Sequence, residues 1–219
     1  MGSRNIPKRA AQKCSFGDPY AHDESVRKNG FGLIAGVDES GRGPLAGPVV
    51  AAAVALPQGI VIQGVRDSKI VPAAERERLF WEIMDHAVDV GVGIVDAEEI
   101  DRINILCATK LAMHNAITAL ANRPDIILID ALQLPSIPIR QMPLIKGDAK
   151  SAAIAAASII AKVIRDKIMA EYHILYPRYG FDRHKGYGTR KHLESIREHG
   201  PCPIHRKSFR KVLPLELPF

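Results

Sequence analysis

A chain of 219 residues can bury one sizeable hydrophobic core but is too short for two large domains. Hydrophobic residues make up 47% of it and charged residues 25%, which is typical of a folded protein and excludes disordered and fibrous classes. No run approaches the roughly 18 apolar residues of a membrane span, and residues 1–30 lack the apolar core of a secretory signal. We therefore expect a cytoplasmic protein without membrane contact.

The net charge of +6 is concentrated at the end of the chain. Residues 177–219 hold 10 Lys or Arg against 4 Asp or Glu, so this segment alone carries the whole excess. A local excess of cations attracts polyanions such as nucleic acids, although a basic solvated tail has the same composition.

Three distant cysteines, Cys14, Cys107 and Cys202, predict reduced thiols and neither a disulfide frame nor a zinc site.

Residues 1–30 are polar and lack a sustained hydrophobic period, which predicts a flexible arm. Apolar runs over 31–38 and 48–56 then predict two buried strands. Asp38 and Glu39 lie between them, followed by glycines at 41 and 43. Neighbouring side chains of a strand point to opposite faces, so these carboxylates converge only if the strand ends or bulges there. A charged hairpin turn and a site for a metal ion and a phosphate both fit this stretch.

Helical and strand patterns alternate along the rest of the chain, which favours an α/β fold. We predict helices from Pro72 to about residue 89 and over 104–121, 149–176 and 190–199, and strands over 88–95, 126–130 and 137–145. Asp130 ends the most apolar strand, where open α/β sheets place their sites. Asp148 precedes the longest helix, as either its N-cap or a ligand. The acidic residues over 96–101 are typical of a first helical turn, and Asp67 is a weaker candidate ligand.

Tyr187 stands between two glycines in the basic segment Arg183–Thr189. An aromatic ring in that setting can present its face to a sugar or a base. A tyrosine packed into a turn would give the same local pattern. Four nearby histidines, at 184, 192, 199 and 205, have no common ligand spacing and predict solvated side chains or phosphate neighbours.

Six stretches in order resemble bacterial ribonuclease HII over about residues 31–209: DESGRGPLAGPV (38–49), DSK (67–69), INIL (103–106), LID (128–130), KGDAKSAAIAAASIIAKVIRD (146–166) and HKGYGT (184–189). The resemblance implies a ribonuclease H-like mixed central sheet flanked by helices over 31–176. A small basic helical extension over 177–219 would cover the substrate groove. It also implies four catalytic carboxylates that bind two Mg²⁺ or Mn²⁺ ions: Asp38, Glu39, Asp130 and Asp148. We hypothesise that Asp38 and Asp130 contact both ions.

The activity implied is hydrolysis of the RNA strand of RNA–DNA hybrids and cleavage 5′ of ribonucleotides embedded in duplex DNA, which leaves a 5′-phosphate and a 3′-hydroxyl. The implied substrate-binding residues are Gly41, Arg42, Gly43, Lys69, Lys185 and Tyr187. We expect a monomer, with an apolar tail over 213–219 as a candidate contact for a replication clamp. A non-catalytic nucleic-acid-binding module remains the alternative. A nucleotide-binding loop is disfavoured, since the glycine spacing after Asp38 differs from G-x-G-x-x-G.

Three positions depart from the pattern of ribonuclease HII. Ser40 stands where alanine is usual, Ile70 where a second lysine is common, and Ala131-Leu132 where Gly-Asn often follows the strand aspartate. None of these changes removes a matched carboxylate. We expect Ser40 to alter the surroundings of the metal site and Ala131 to alter the backbone after Asp130.

Overall fold

A five-stranded mixed sheet forms the centre of the protein in a computed structural model that describes residues 18–65, 68 and 71–213. Its strands are β1 (Ile34–Ser40), β2 (Val49–Ala55), β3 (Asp89–Val95), β4 (Ile126–Asp130) and β5 (Arg140–Leu144). They lie in the order β3-β2-β1-β4-β5, and the β1–β2 and β2–β3 pairs are antiparallel. The β1–β4 and β4–β5 pairs are parallel. The predicted α/β class with a mixed central sheet is therefore confirmed.

Helices flank the sheet on both faces. In the described residues of the chain they are α1 (Pro19–Lys28), α2 (Ala73–His86), α3 (Ala97–Ile103), α4 (Ile105–Thr118), α5 (Ala152–Leu175), α6 (Phe181–His184) and α7 (Arg190–His199). α2 and α5 pack over one face of β2, whereas α3 and α4 cover the other face. None of these helices is long and apolar enough to span a membrane.

The two helical layers approach the sheet closely because glycines face alanines at the contacts. A Cβ atom added at Gly36 in β1 would lie 2.1 Å from the carbonyl carbon of Ala153 in α5. On the opposite face, a Cβ at Gly93 in β3 would lie 2.0 Å from the carbonyl oxygen of Ala112 in α4. No real side chain tolerates such distances, so each helix rests directly on a strand backbone.

The longest helix begins later than its sequence pattern predicts. Its N-cap is Ser151, whose Oγ accepts a hydrogen bond from the Ile154 N–H at 3.2 Å. Asp148 lies in a separate 3₁₀ turn, Gly147–Ala149. The interpretation of Asp148 as the N-cap is thus wrong, because the preceding turn bends the chain before the helix starts.

The predicted flexible arm over 1–30 is wrong for its last third. Asp18 caps α1, and Asp23 and Val26 in this helix are buried. The Asp23 Oδ2 atom accepts a hydrogen bond from the Ala153 N–H at 2.9 Å, in the first turn of α5. The helix was missed because its buried face is small and its partner is distant in sequence. Residues 1–17 lie outside the described residues.

The described part of the extension, residues 177–213, shares a core with the end of α5 and with the loop after β1. Its buried members include Tyr179, Phe181 and Ile204, which pack with Leu45 and Met169. Backbone bonds add to this packing: the Leu45 N–H donates to the Gly186 oxygen at 2.8 Å. The extension is therefore held against the β1–β2 connection by both apolar and polar contacts.

A buried pair of histidines lies inside this extension. His192 Nδ1 is 2.9 Å from the carbonyl oxygen of Tyr187, so it carries a proton and donates. His192 Nε2 must then accept from His205 Nε2, which lies 3.0 Å away. His205 Nδ1 in turn accepts from the Cys202 N–H at 2.9 Å. The prediction that these two histidines are solvated is wrong, because burial and mutual hydrogen bonding hold both rings neutral.

We predict that Asp23→Ala lowers the free energy of unfolding by about 1–3 kcal/mol, because the buried Ala153 N–H loses its acceptor. Urea unfolding followed by circular dichroism measures this change. Ser25→Ala, on the exposed face of the same helix, is the matched control and should shift stability far less. Equal effects of the two substitutions would show that α1 does not stabilise α5.

A second prediction concerns acid stability. Burial lowers the pKa of His192 and of His205 from 6.5 to about 4. Between pH 4 and pH 6.5 the two histidines are therefore neutral in the folded protein and take up protons when it unfolds. The stability that the neutral pair contributes is fully present above pH 6.5 and is lost as the pH falls toward 4. Urea midpoints measured across that range should decline less steeply in His192→Asn than in the unchanged protein. His86→Asn, at an exposed histidine, should leave the slope unaltered; an unchanged slope in His192→Asn would contradict the assignment.

Candidate active site

Two carboxylates meet where the neighbouring parallel strands β1 and β4 end. The register pairs Val37 with Ile129, so Asp38 and Asp130 are the next residues on each strand. Ile34 in β1 and Leu128 in β4 pack with Ile154 of α5, and side chains two residues apart share a face. Asp38 and Asp130 consequently both point toward the α5 side at the same edge of the sheet.

The turn before α5 adds a third carboxylate at this edge. The Gly147 N–H donates to Asp130 Oδ1 at 2.8 Å, which ties the Gly147–Ala149 turn to the end of β4. Asp148 follows directly in this turn and is 6% exposed. The three segments that carry the predicted site residues Asp38, Asp130 and Asp148 thus adjoin at this edge.

Glu39 occupies a different position. β1 stays paired with β2 through Ser40, in continuous register and without a bulge. Adjacent side chains therefore point to opposite faces, and Glu39 faces away from Asp38. Its Oε1 atom lies 3.2 Å from Arg42 Nη1. Of the two conditions for convergence of these side chains, a bulge is absent from β1, and the strand ends at Ser40, one residue beyond Glu39.

The electrostatics of the edge suit a cation. Burial is the main cause that raises the pKa of Asp38 well above its usual value, followed by the nearby charges of Glu39 and Asp130. A bound cation would relieve both effects, and an all-oxygen donor set fits a hard divalent ion. No three acidic, histidine or cysteine side chains within residues 18–65, 68 and 71–213 are already arranged as metal ligands.

A chain of hydroxyl groups links Asp38 to the segment around residue 68. Ser158 of α5 hydrogen-bonds the Asp38 carboxylate, and its oxygen lies 2.8 Å from that of Ser68. Each hydroxyl has one proton, so when Ser158 donates to the ionised Asp38 carboxylate, Ser68 donates to Ser158. Lys69, Asp67 and Ile70 lie outside the described residues. Sequence reasoning missed both serines, although both fall inside the matched stretches.

The 41–43 turn lies beside the carboxylates, with Gly41 buried and Arg42 and Gly43 exposed. Gly41 has a φ of +101°, which favours glycine, and a Cβ there would lie 2.2 Å from Arg165 Nε. Arg165 and Arg206 are fully buried and donate to carbonyl oxygens of the loop that follows β1. Both arginines were missed, since burial of an arginine leaves no pattern in the sequence.

Tyr187 borders the same turn. Its side chain is 48% exposed, and a Cβ added at Gly43 would lie 3.7 Å from its Cε1 atom. Lys185, two residues earlier, has a left-handed φ of +51°. The structure therefore places Tyr187 beside the turn that holds Gly41, Arg42 and Gly43, and Lys185 lies two residues before Tyr187 in the chain.

Ala131 shows how one departure from the motif is accommodated. It follows Asp130 with a left-handed φ of +53° and donates its N–H to the Leu144 oxygen at 3.1 Å. This backbone shape suits glycine, and a left-handed alanine costs about 1–2 kcal/mol. The turn is thus kept despite the substitution, because pairing with β5 holds it.

The chain is similar to known proteins in sequence and in fold. A family model described as Ribonuclease HII matches residues 35–212. The Ribonuclease HII of Acetivibrio thermocellus is 57% identical over 190 residues, which cover 87% of this chain and 74% of that protein. A crystal structure of the ribonuclease H2 from Pyrococcus horikoshii OT3 superposes with a TM-score of 0.69 at 30% identity, covering 82% of this chain and 95% of that one.

A second solved structure is the PCNA:RNase HII complex from Archaeoglobus fulgidus. It superposes with a TM-score of 0.68 at 27% identity and covers 81% of this chain and 95% of that one. The predicted ribonuclease H-like fold is therefore confirmed. The match of the family model over most of the chain, together with relatives of this similarity, shows that the chain belongs to the ribonuclease HII family of metal-dependent endonucleases.

Proposed function

We propose that this chain hydrolyses the RNA strand of RNA–DNA hybrids and cuts on the 5′ side of ribonucleotides embedded in duplex DNA. The products would carry a 5′-phosphate and a 3′-hydroxyl. The observation that carries the proposal is that the segments carrying Asp38, Asp130 and Asp148 adjoin at one edge of the sheet, beside an exposed turn rich in glycine. A binding module without catalysis would not require buried carboxylates of like charge.

The residues proposed to hold two Mg²⁺ or Mn²⁺ ions are Asp38, Glu39, Asp130 and Asp148. Ions held in this way supply an activated water and stabilise the departing oxygen during phosphodiester hydrolysis. Asp38 is kept in place by its bond from Ser158, and Asp130 by the Gly147 N–H. Glu39 points to the other face of β1, but it is near the end of the strand and its charge acts on Asp38, so it would complete the set there.

Recognition of the ribonucleotide is assigned to the 41–43 turn and to Tyr187. A protein distinguishes RNA from DNA by contacting the 2′-hydroxyl, and backbone groups can do so where the absence of side chains permits close approach. The exposed Tyr187 ring beside Gly43 is placed to stack on the adjacent sugar. Together they would detect the junction between ribose and deoxyribose.

The C-terminal extension provides a cationic surface for the rest of the duplex. A cavity of about 680 Å³ lies between α6 and α7, and its lining includes Arg178, Arg183, Arg190 and Lys191. Cations at such a surface gain affinity from the release of counterions from the phosphates. Lys69 and Lys185 remain proposed phosphate contacts of the same kind.

A replication clamp is the protein partner that we propose. The ribonuclease HII of Archaeoglobus fulgidus has been solved in complex with PCNA. The contact assigned to this chain is the apolar segment over 213–219. Leu213 is 47% exposed, and the remaining residues of that segment lie outside the described residues.

Asp38→Asn should reduce cleavage at least about 100-fold and leave hybrid binding intact, because it removes a ligand charge without changing the side-chain shape. The assay is cleavage of an end-labelled duplex with one embedded ribonucleotide, in Mg²⁺, Mn²⁺ or EDTA, with the cut mapped to the nucleotide. Asp85→Asn, at an exposed carboxylate, is the control. A near-normal rate for Asp38→Asn would refute the assignment, and binding without metal-dependent cleavage would favour the binding module.

Tyr187→Ala should lower kcat/KM on a single embedded ribonucleotide by about 10-fold or more, since stacking on an aromatic ring is worth roughly 1–3 kcal/mol. The loss on a long hybrid should be smaller, because many registers of that substrate can be cut. Tyr187→Phe keeps the ring and should retain activity on both substrates. Equal losses of Tyr187→Ala on the two substrates would count against a role at the junction.

A further inference from the structure

The side chain of Arg206 is fully buried, and its guanidinium is surrounded by carbonyl oxygens of the loop after β1. Nη2 donates to the Gly41 oxygen at 2.6 Å, and Nη1 donates to the Arg42 and Pro44 oxygens at 3.0 and 2.8 Å. Nε donates to the Gly47 oxygen at 2.9 Å. One arginine thus binds four carbonyl groups of a loop that is about 160 residues away in the chain.

These bonds dictate where the opposite sides of the peptide groups point. A trans peptide is planar, and its C=O and N–H point in opposite directions. Because the Gly41 and Arg42 oxygens turn inward to Arg206, the N–H groups of Arg42 and Gly43 turn away from it. Both residues are exposed. Among the described residues, neither N–H has a hydrogen-bond acceptor.

The position of Arg206 is itself well defined. The backbone N–H of Arg206 donates to the Leu45 oxygen at 2.9 Å, and the guanidinium lies 5.1 Å from the centre of the Phe209 ring. Asp101 of α3 accepts the N–H groups of Lys207 and Ser208 at 2.7 and 2.9 Å. The segment that carries Arg206 is therefore fixed to a helix on the body of the protein, so the arginine is a rigid support for the turn.

Arg165 supports a different region of the loop. It donates to the Pro48 oxygen at 3.0 Å and to the Ala46 oxygen at 3.1 Å, at the entrance to β2. It packs against Gly41 but donates to no carbonyl of the 41–43 turn. Of the two buried arginines, therefore, only Arg206 orients the N–H groups of Arg42 and Gly43.

We infer that Arg206 is a positioning residue that directs the Arg42 and Gly43 N–H groups toward a substrate oxygen and thereby sets the preference for ribonucleotides over deoxyribonucleotides. The inference rests on the proposed function, in which the 41–43 turn contacts the 2′-hydroxyl. Arg206 itself does not touch the substrate, because it is buried behind the turn. Loss of Arg206 should therefore change selectivity more than the chemical step.

The test uses the full chain with Arg206→Lys, Arg206→Met and, as control, Arg27→Met. Arg27 also donates to two carbonyl oxygens, those of Gly32 and Leu56, away from the site. KM and kcat are measured on a duplex with one ribonucleotide, and Kd is measured on the same duplex made entirely of DNA. We expect both Arg206 variants to raise KM about 10-fold, as loss of two oriented donors would. Kd for the DNA duplex and kcat should change little, and Arg27→Met should match the unchanged protein.

A folded Arg206 variant with the original KM and the original ratio of KM to Kd would overturn the inference. A merely structural role would lower the folded fraction, and hence apparent kcat, without altering that ratio. If both Arg206 variants fail to fold, Asp101→Ala decides, because it loosens the same segment from the surface. A rise of KM for the ribonucleotide duplex in Asp101→Ala, smaller than the rise expected of the Arg206 variants, supports the inference. An unchanged KM in Asp101→Ala overturns it. Failure of the unchanged protein to cleave the ribonucleotide duplex would instead refute the proposed function.

Discussion

The direct contact of α5 with the backbone of β1 governs the geometry of the site. The backbone of Ala153 lies so close to Gly36 that residue 36 cannot carry a side chain. The helix axis is therefore held at a fixed, short distance from the strand. That distance brings Ser158 within hydrogen-bonding reach of Asp38 and places the turn that carries Asp148 beside β4. Asp23 of α1 strengthens the arrangement, since it accepts an N–H from the first turn of the same helix.

The site is also supported by polar groups that are themselves buried. Arg165 and Arg206 are fully buried, and each meets carbonyl oxygens of the loop after β1. Burial of an arginine is unfavourable unless its donors are paired, so the loop and the arginines stabilise one another. The neutral pair of His192 and His205 has a comparable role in the C-terminal extension, where it fixes the carbonyl group of Tyr187. The 41–43 turn and Tyr187, which we propose as substrate contacts, thus rest on a buried hydrogen-bonding network.

Sequence patterns located the strands and the main helices, because the apolar runs over 31–38, 48–56 and 126–130 are long and sharply bounded. They were less informative where tertiary contacts determine the outcome. The α1 helix has a small buried face, and only its contact with α5 explains its order. Asp148 has the favoured residue type for an N-cap, yet a 3₁₀ turn intervenes and Ser151 takes that role. Whether Asp38 and Glu39 converge depended on an end or a bulge of β1, and the strand keeps its register with β2 to its last residue, Ser40.

The sequence by itself determined the α/β class, the family and the set of candidate acidic residues, since these depend on residue type and on the order of the motifs along the chain. Only the tertiary structure decided which carboxylates face the same side of the sheet. Strand alternation places Asp38 and Asp130 on the α5 face and Glu39 on the other, and this follows from register and not from composition. The tertiary structure alone also revealed Arg206, because its partners at 41–47 are distant in the chain and are backbone atoms, which no side-chain pattern records.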